Sequence, residues 1–336
     1  MSDTLTLLLA KRPWLMADGA TGTNLFNAGL ASGDAPEAWN FEAPEKIRAL
    51  YRGSVEAGAD IILTNSFGGT RYRLKLHDMQ DRAREVNKVA AALAREVVEA
   101  SGRPVVVAGS MGPTGEILQP VGELSHEDAV AAFEEQAAGL MEGGADVLWA
   151  ETISSEEELM AASEAAANVG APFCCTMSFD TAGRTMMGVT SVGMAGLAQR
   201  LPAAPLAFGA NCGVGASDLI RTIQGMTTTT PQAPIIAKGN AGIPKYVDGH
   251  IHYDGTPDLM ADYAVIARDS GARIIGGCCG TTPTHLEAMR NALETVPPGP
   301  RPGLEEVEAR LGGFSSPSDG LGDAPPARRE RRRRRA

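Results

Sequence analysis

The feature that most constrains this chain is a set of eight short runs, rich in β-branched and apolar residues. Each ends in a cluster of Gly, Asn, Asp, Thr or Cys and is followed by a segment of helical periodicity. They are WLMADGATGT (14–23), ADIILTNSFGG (59–69), PVVVAGSMGP (104–113), DVLWAETIS (146–154), PFCCTMSFD (172–180), PLAFGANCGVG (205–215), PIIAKGNAG (234–242) and ARIIGGCCGTT (272–282). Between them, segments such as EKIRALYRGSVEAG and AREVNKVAAALAREVVEASG place apolar residues at helical spacing and close on a Gly. Three helix exits share a pattern, GAD at 58, GAD at 144 and GAR at 271, as expected where a Gly caps a helix and a buried parallel strand begins.

Eight such βα units predict a (β/α)8 barrel of the TIM type over residues 1–296, with a doubly wound open sheet as the competing fold. The polar strand ends favour the barrel, because there the C-terminal ends of all strands open on one mouth. In that fold Asp18, Asn65, Glu151, Asp180, Cys212, Asn240, Cys278 and Cys279 converge. From PPGPRPG (297–303) onward the periodicity dissolves, apart from a short helix around LEEVEARL. Residues 297–336 are therefore expected to form a disordered, Arg-rich tail.

Composition excludes several classes of function. No run approaches the eighteen or so apolar residues that span a bilayer, and the N-terminus lacks a secretory pattern, so no membrane partner is expected and the chain reads as cytoplasmic. Five cysteines without a secretory signal argue for reduced thiols. The net charge is −11, but RRERRRRRA at the end of the chain carries +6, leaving −17 for the rest. A body that acidic is a poor ligand for phosphates, so nucleic acid is not expected as a partner except through the Arg tail. Neither DGATGT nor GSMGPTGE matches a phosphate-cradling fingerprint.

The cysteines carry the sharpest chemical signal. Catalytic zinc takes three protein ligands and keeps one position open, and thiolates suit it. Cys212 after the sixth run, with Cys278 and Cys279 after the eighth, makes three thiols at one mouth. Adjacent strand residues point to opposite faces, so Cys278 and Cys279 reach one ion only where the chain leaves strand geometry, which Gly276, Gly277 and Gly280 permit. Cys174 and Cys175, within a run, read as buried core residues. No histidine has a partner at ligand spacing: His250 and His252 fall in a loop, and His126 follows a cap at Ser125. Asp18 and Glu151 face the mouth, where carboxylates bind an ammonium or act as acid and base. Their alternative is helix capping, with Ser154 and the run Glu156, Glu157, Glu158 reading as an ordinary helix start.

At these residues the sequence resembles the homocysteine S-methyltransferase family, through DGATGT, GADIILTNSF, GSMGPTG, GGADVLWAET, FDTAGRTMMG, GANCGVG, GNAGIP and GGCCGTTPTHLEAM, spread over about residues 13–296. The resemblance implies that Cys212, Cys278 and Cys279 hold Zn2+ and that homocysteine thiolate fills the open position. It implies Asp18 and Glu151 around the homocysteine amino group, amides near Gly19 and Thr152 for its carboxylate, and Asn240 as the resting fourth zinc ligand. The likeness is strongest to bacterial betaine–homocysteine S-methyltransferases, with glycine betaine as donor and methionine as product. Trp39 and Tyr72 are the expected donor contacts, since a quaternary ammonium favours aromatic faces. SFGGT departs from a loop that supplies a tyrosine in the animal betaine enzymes, and NAGIP also resembles the homocysteine module of cobalamin-dependent methionine synthase. A separate methyl-corrinoid protein, or another methylated onium compound, is the alternative donor. A thiol redox or zinc-buffering protein is the alternative of a different class.

Overall fold

In a computed structural model of the protein, residues 4–243, 245–247 and 250–322 are described, with the side chains of 245–247 and 250–252 left out. Eight barrel strands follow one another: β1 Leu15–Met16, β2 Ile61–Leu63, β3 Val106–Met111, β4 Val147–Ile153, β5 Phe173–Met177, β6 Ala207–Cys212, β7 Ile235–Gly239 and β8 Ala272–Gly277. They pair in parallel in the order β1-β8-β7-β6-β5-β4-β3-β2. The ring closes where Ala17 bridges to Ile61, with Asp60 N–H donating to Met16 O at 2.7 Å and Asp18 N–H to Ile61 O at 2.9 Å. The expected barrel is the observed fold.

The two-residue period of a strand sorts the core into two shells. Leu15, Ile61, Leu63, Val106, Ala108, Val147, Trp149, Cys174, Ala207, Ile236 and Ile274 point inward and form one buried cluster. Leu5 and Leu8, from an N-terminal helix Thr4–Lys11, join that cluster and plug the bottom of the barrel. Their neighbours in sequence, among them Met16, Ile62, Val107, Leu148, Cys175, Phe208, Ala237 and Ile275, point outward into a larger cluster shared with the helices. Cys174 and Cys175 are thus core residues of opposite faces, both fully buried, as their place within a strand predicts. Counting on by two from Ile236, Trp149 and Ala108 brings Lys238, Glu151 and Ser110 into the interior above the apolar plug. That step is where packing turns into chemistry.

Three boundaries differ from the sequence reading. The helix after β4 is capped by Ser155, not Ser154, its hydroxyl accepting from Glu158 N–H at 3.2 Å. His250 and His252 belong to a two-stranded antiparallel hairpin, Lys245–Val247 with His250–His252, rather than to an open loop. The expected disorder from residue 297 does not hold for residues 297–322: a helix Leu304–Leu311 buries Val307 and Leu311 against the barrel, Arg221 stacks over Phe314 at 4.5 Å, and Ser315 N–H donates to Asp218 at 2.9 Å. Two apolar residues four apart on one helical turn sufficed for docking. The Arg-rich stretch itself lies outside the described residues. Among the described residues no helix is long and apolar enough to cross a membrane.

Candidate active site

Cys212 ends β6 in a left-handed backbone conformation (φ 62°), uncommon for a residue with a Cβ. This turns its thiol back across the mouth instead of along the strand alternation. Cys278 and Cys279 follow β8 directly. Cys278 N–H still donates to Gly239 O at 2.7 Å, whereas Cys279 N–H leaves the ladder and donates to Asn240 Oδ1 at 3.1 Å. The glycines serve in two ways. Gly280 supplies a positive φ (79°), while Gly276 and Gly277 stay in the strand because a Cβ there would press on Ala17 and on Thr281, at 2.9 Å and 2.3 Å.

The three sulfur atoms lie within 4.8 Å of one another, Cys212 and Cys279 at 3.9 Å. A tetrahedral zinc about 2.3 Å from each sulfur requires sulfur–sulfur distances of about 3.8 Å, so the donor set fits that ion in number, type and spacing. Hydrogen bonds from Cys212 and Cys278 pull the Cys279 thiol down to about 3, while Cys212 is pushed far up by its hydrogen bonds to the other two thiols and by burial. One negative charge shared among three thiols is what this arrangement favours before any cation adds its own field.

Around the sulfurs stands a shell of which the sequence singled out Gly19, Thr152 and Asn240 but not Asn211 or Tyr253. Asn211, fully buried, donates from Nδ2 to Cys278 Sγ at 3.6 Å and to Thr152 Oγ1 at 2.7 Å, and accepts from Thr152 N–H at 2.9 Å. Thr152 itself adopts a positive φ (62°), and this amide, expected to bind a carboxylate, is here bonded to Asn211. Gly19 N–H, its expected companion, makes no hydrogen bond within the described residues. Asn240 ties two loops, donating from Nδ2 to Gly213 O at 2.9 Å and accepting from Cys279 N–H. Tyr253 packs its ring on Gly280, where a Cβ would stand 2.4 Å from its own.

Below the thiols the interior is charged. Lys238 Nζ lies 2.7 Å from Asp18 Oδ1, both side chains being almost wholly buried, and 5.7 Å from the centre of the Trp149 ring. Asp18 Oδ2 accepts from Leu63 N–H at 2.7 Å. Burial works against the Lys238 ammonium, yet the carboxylates of Asp18 and Glu151 push its pKa up. Glu151 accepts from Ser110 Oγ on one oxygen, and its other oxygen has no partner among the described residues. Burial pushes its carboxyl up to about 7 in spite of Lys238. A Lys in the otherwise apolar run PIIAKG was the signal available for this group.

The remaining expected residues lie farther out. Asp180 is exposed and, among the described residues, bonds only its neighbour Thr181; Asn65 is buried between Asn40 and Pro36 O. Trp39 lines a cleft of about 460 Å3 with Asp34, Phe41, Glu42 and His77, and Lys46 Nζ sits 4.2 Å from its ring centre. Lys75 stands likewise over Tyr72, at 5.5 Å. His285 is a capping residue, bonded through Nδ1 to Thr282 and donating from Nε2 to Gly255 O.

Fold and site together define a (β/α)8 barrel with a three-thiol centre at the C-terminal mouth, a class in which chemistry sits on the βα loops. The chain belongs to the homocysteine S-methyltransferase family, whose model matches residues 15–293. It is similar to the homocysteine methyltransferase MmuM from Escherichia coli. In its metallated form that protein has a TM-score of 0.73 at 25% identity, covering 86% of this chain and 99% of that one. The oxidised form gives 0.72 at 26% identity with the same coverage. The chain is also 30% identical over 310 residues to a methionine synthase of Mycobacterium tuberculosis H37Rv, across 88% of this chain but only 26% of that longer protein.

Proposed function

We propose that this protein transfers a methyl group to homocysteine in a zinc-dependent reaction giving methionine, with glycine betaine as donor and dimethylglycine as the second product. The observation that carries the reading is the group of three thiols at zinc spacing in a chain of this family. Bound by Cys212, Cys278 and Cys279, zinc would deprotonate the homocysteine thiol, which at neutral pH is otherwise mostly protonated and weakly nucleophilic. The chain's own residues orient the partners. Asn211 fixes Cys278 by donating to its sulfur, and Asn240 fixes the amide of Cys279. Glu151 offers its free oxygen to the substrate ammonium and Gly19 its free amide to the carboxylate.

An acidic, thiolate-rich mouth suits the cationic head of a methylated onium donor, and transfer of the methyl group leaves an amine that has lost its fixed positive charge. Trp39 and Tyr72 already carry lysines over their rings, so a quaternary ammonium using them must displace Lys46 or Lys75. Tyr253, whose ring packs on Gly280 next to Cys279, is the inner donor contact. A second reading, a methyl-corrinoid protein as donor, is favoured by the match to one quarter of a methionine synthase and by exposed Phe67, Ile117, Val121, Met186, Met187 and Ile243 on the βα loops. The test is zinc-loaded enzyme with homocysteine and, in turn, betaine, other methylated onium compounds and a methyl-corrinoid protein. Methionine is expected with betaine alone; none from any donor sinks the enzyme reading.

A pH dependence follows from Glu151. Its carboxyl, near 7, faces Lys238 and Asp18, and only the ionised form attracts an ammonium. Methionine has no thiol to titrate in its place. Its Kd is expected to be lowest near pH 8, to rise by up to about tenfold per unit below pH 7 with a proton released on binding, and to rise again where the methionine ammonium itself deprotonates, as seen by titration calorimetry in two buffers.

A further inference from the structure

Cys278 and Cys279 follow β8, where the ladder bond to Gly239 and the bond to Asn240 hold them. Cys212 reaches them from β6 through its left-handed turn, a conformation that a residue with a Cβ keeps only where its surroundings enforce it. Gly213, next in the chain, also has a positive φ (74°), and a helix, Ala216–Thr229, starts shortly beyond. On its other side the turn leans on the loop after β5, residues 178–190: a Cβ at Gly213 would stand 3.2 Å from Phe179 O. The turn is thus held between a helix start and a loop.

Residues 312–322, beyond the stretch that matches the family, touch both. At the helix, Ser217 Oγ donates to Gly312 O at 2.5 Å, Arg221 donates to Ser316 O at 2.9 Å, and Asp218, paired with Arg221 at 2.7 Å, accepts from Ser315 N–H. At the loop, Arg184 donates to Gly322 O at 2.9 Å, and Gly183 meets Gly320 backbone to backbone, so that a Cβ on Gly320 would run into Gly183 O. The segment brings little apolar burial. Leu321 is exposed, and Phe314 is only partly buried under the Arg221 guanidinium.

We propose that residues 312–322 form a strap that positions Cys212, by pinning the two segments between which its turn is held. This rests on the metal reading above and deepens it, since the strap sets the reach of the one ligand that β8 does not supply. With so little apolar area, what the strap adds is restraint. A glycine-rich turn left free would have to lose its freedom each time an ion binds, and a turn already pinned does not.

The test compares the full chain with chains ending at Gly322 and at Leu311 and with Gly320→Ala, which breaks the contact with Gly183 and leaves the rest in place. Zinc affinity is read by competition with a chromophoric chelator, and the fold by urea unfolding without metal. The chain ending at Gly322 should match the full chain. The chain ending at Leu311 and Gly320→Ala should still unfold cooperatively yet bind zinc about 10- to 100-fold more weakly, the range for groups that orient a metal ligand. With metal removed, alkylation mapped by mass spectrometry should speed up at Cys212 and not at Cys278 or Cys279. Should the shorter chain fail to fold, Gly320→Ala decides alone. A loss of zinc affinity under about 5-fold in Gly320→Ala, a loss already complete in the chain ending at Gly322, or equal acceleration at all three thiols would each overturn the assignment. If the full chain binds no zinc, the metal reading fails before any variant is compared, and the proposal fails with it.

Discussion

Replacing Cys212, Cys278 or Cys279 singly by Ala is expected to remove zinc and methyl transfer together. Removing hydrogen-bond partners around a metal site costs about 10- to 100-fold, and loss of one of three direct ligands exceeds that, so activity should drop by more than about 100-fold. The fold gives each thiol a separate anchor: Cys212 the left-handed turn ending β6, Cys278 the last ladder bond to Gly239, Cys279 the amide of Asn240. Two remaining sulfur atoms leave a divalent ion half-coordinated. Cys174→Ala and Cys175→Ala, on buried strand faces, should instead lower stability and leave zinc bound. Metal content by atomic absorption, measured beside activity, decides the matter. Full zinc stoichiometry in any of the first three variants would show that its thiol has another task.

Lys238→Met is expected to be among the most destabilising single changes in the barrel. It strands the Asp18 carboxylate in a nearly dry interior, and breaking a buried pair from one side typically costs about 3–5 kcal/mol. The deficit should shrink as pH falls. Burial already raises the Asp18 carboxyl, and without the ammonium it rises further, so protonation neutralises it in the fold before the unfolded chain takes up the proton. Stability present at low pH is then lost as pH rises through the folded value. Adding Asp18→Asn should recover most of the loss, because neither member is left charged and unpaired. Urea unfolding of the three variants at pH 5 and pH 8 measures all of this; an additive double variant would show that the two side chains are not a pair.

Much of this protein was readable along the chain. The alternation of eight strand-like runs with helical segments dictated the barrel, because a buried parallel strand and its covering helix need different periodicities and residue types. The polar ends of those runs marked the mouth, and three cysteines at two of them marked a site suited to zinc. Cys174 and Cys175 were separable from these because they lie inside a run and not at its end.

Other features had no local signature. Whether Leu304–Leu311 docks or drifts depends on the groove that the barrel helices present to Val307 and Leu311. Asn211 lies one residue from a recognised cysteine, yet its bonds to Thr152 and Cys278 tie β6 to β4 and to the turn after β8, and no spacing within one strand reveals them. Lys238 and Asp18 are 220 positions apart and meet only because closing the barrel turns the ends of β7 and β1, with β8 between them, toward one interior. The sequence alone determined the elements, their order and the identity of the thiols, since these follow from local periodicity and side-chain chemistry. Only the tertiary structure decided which charges face one another, because electrostatic pairing depends on distance through a desolvated interior and not on separation along the chain.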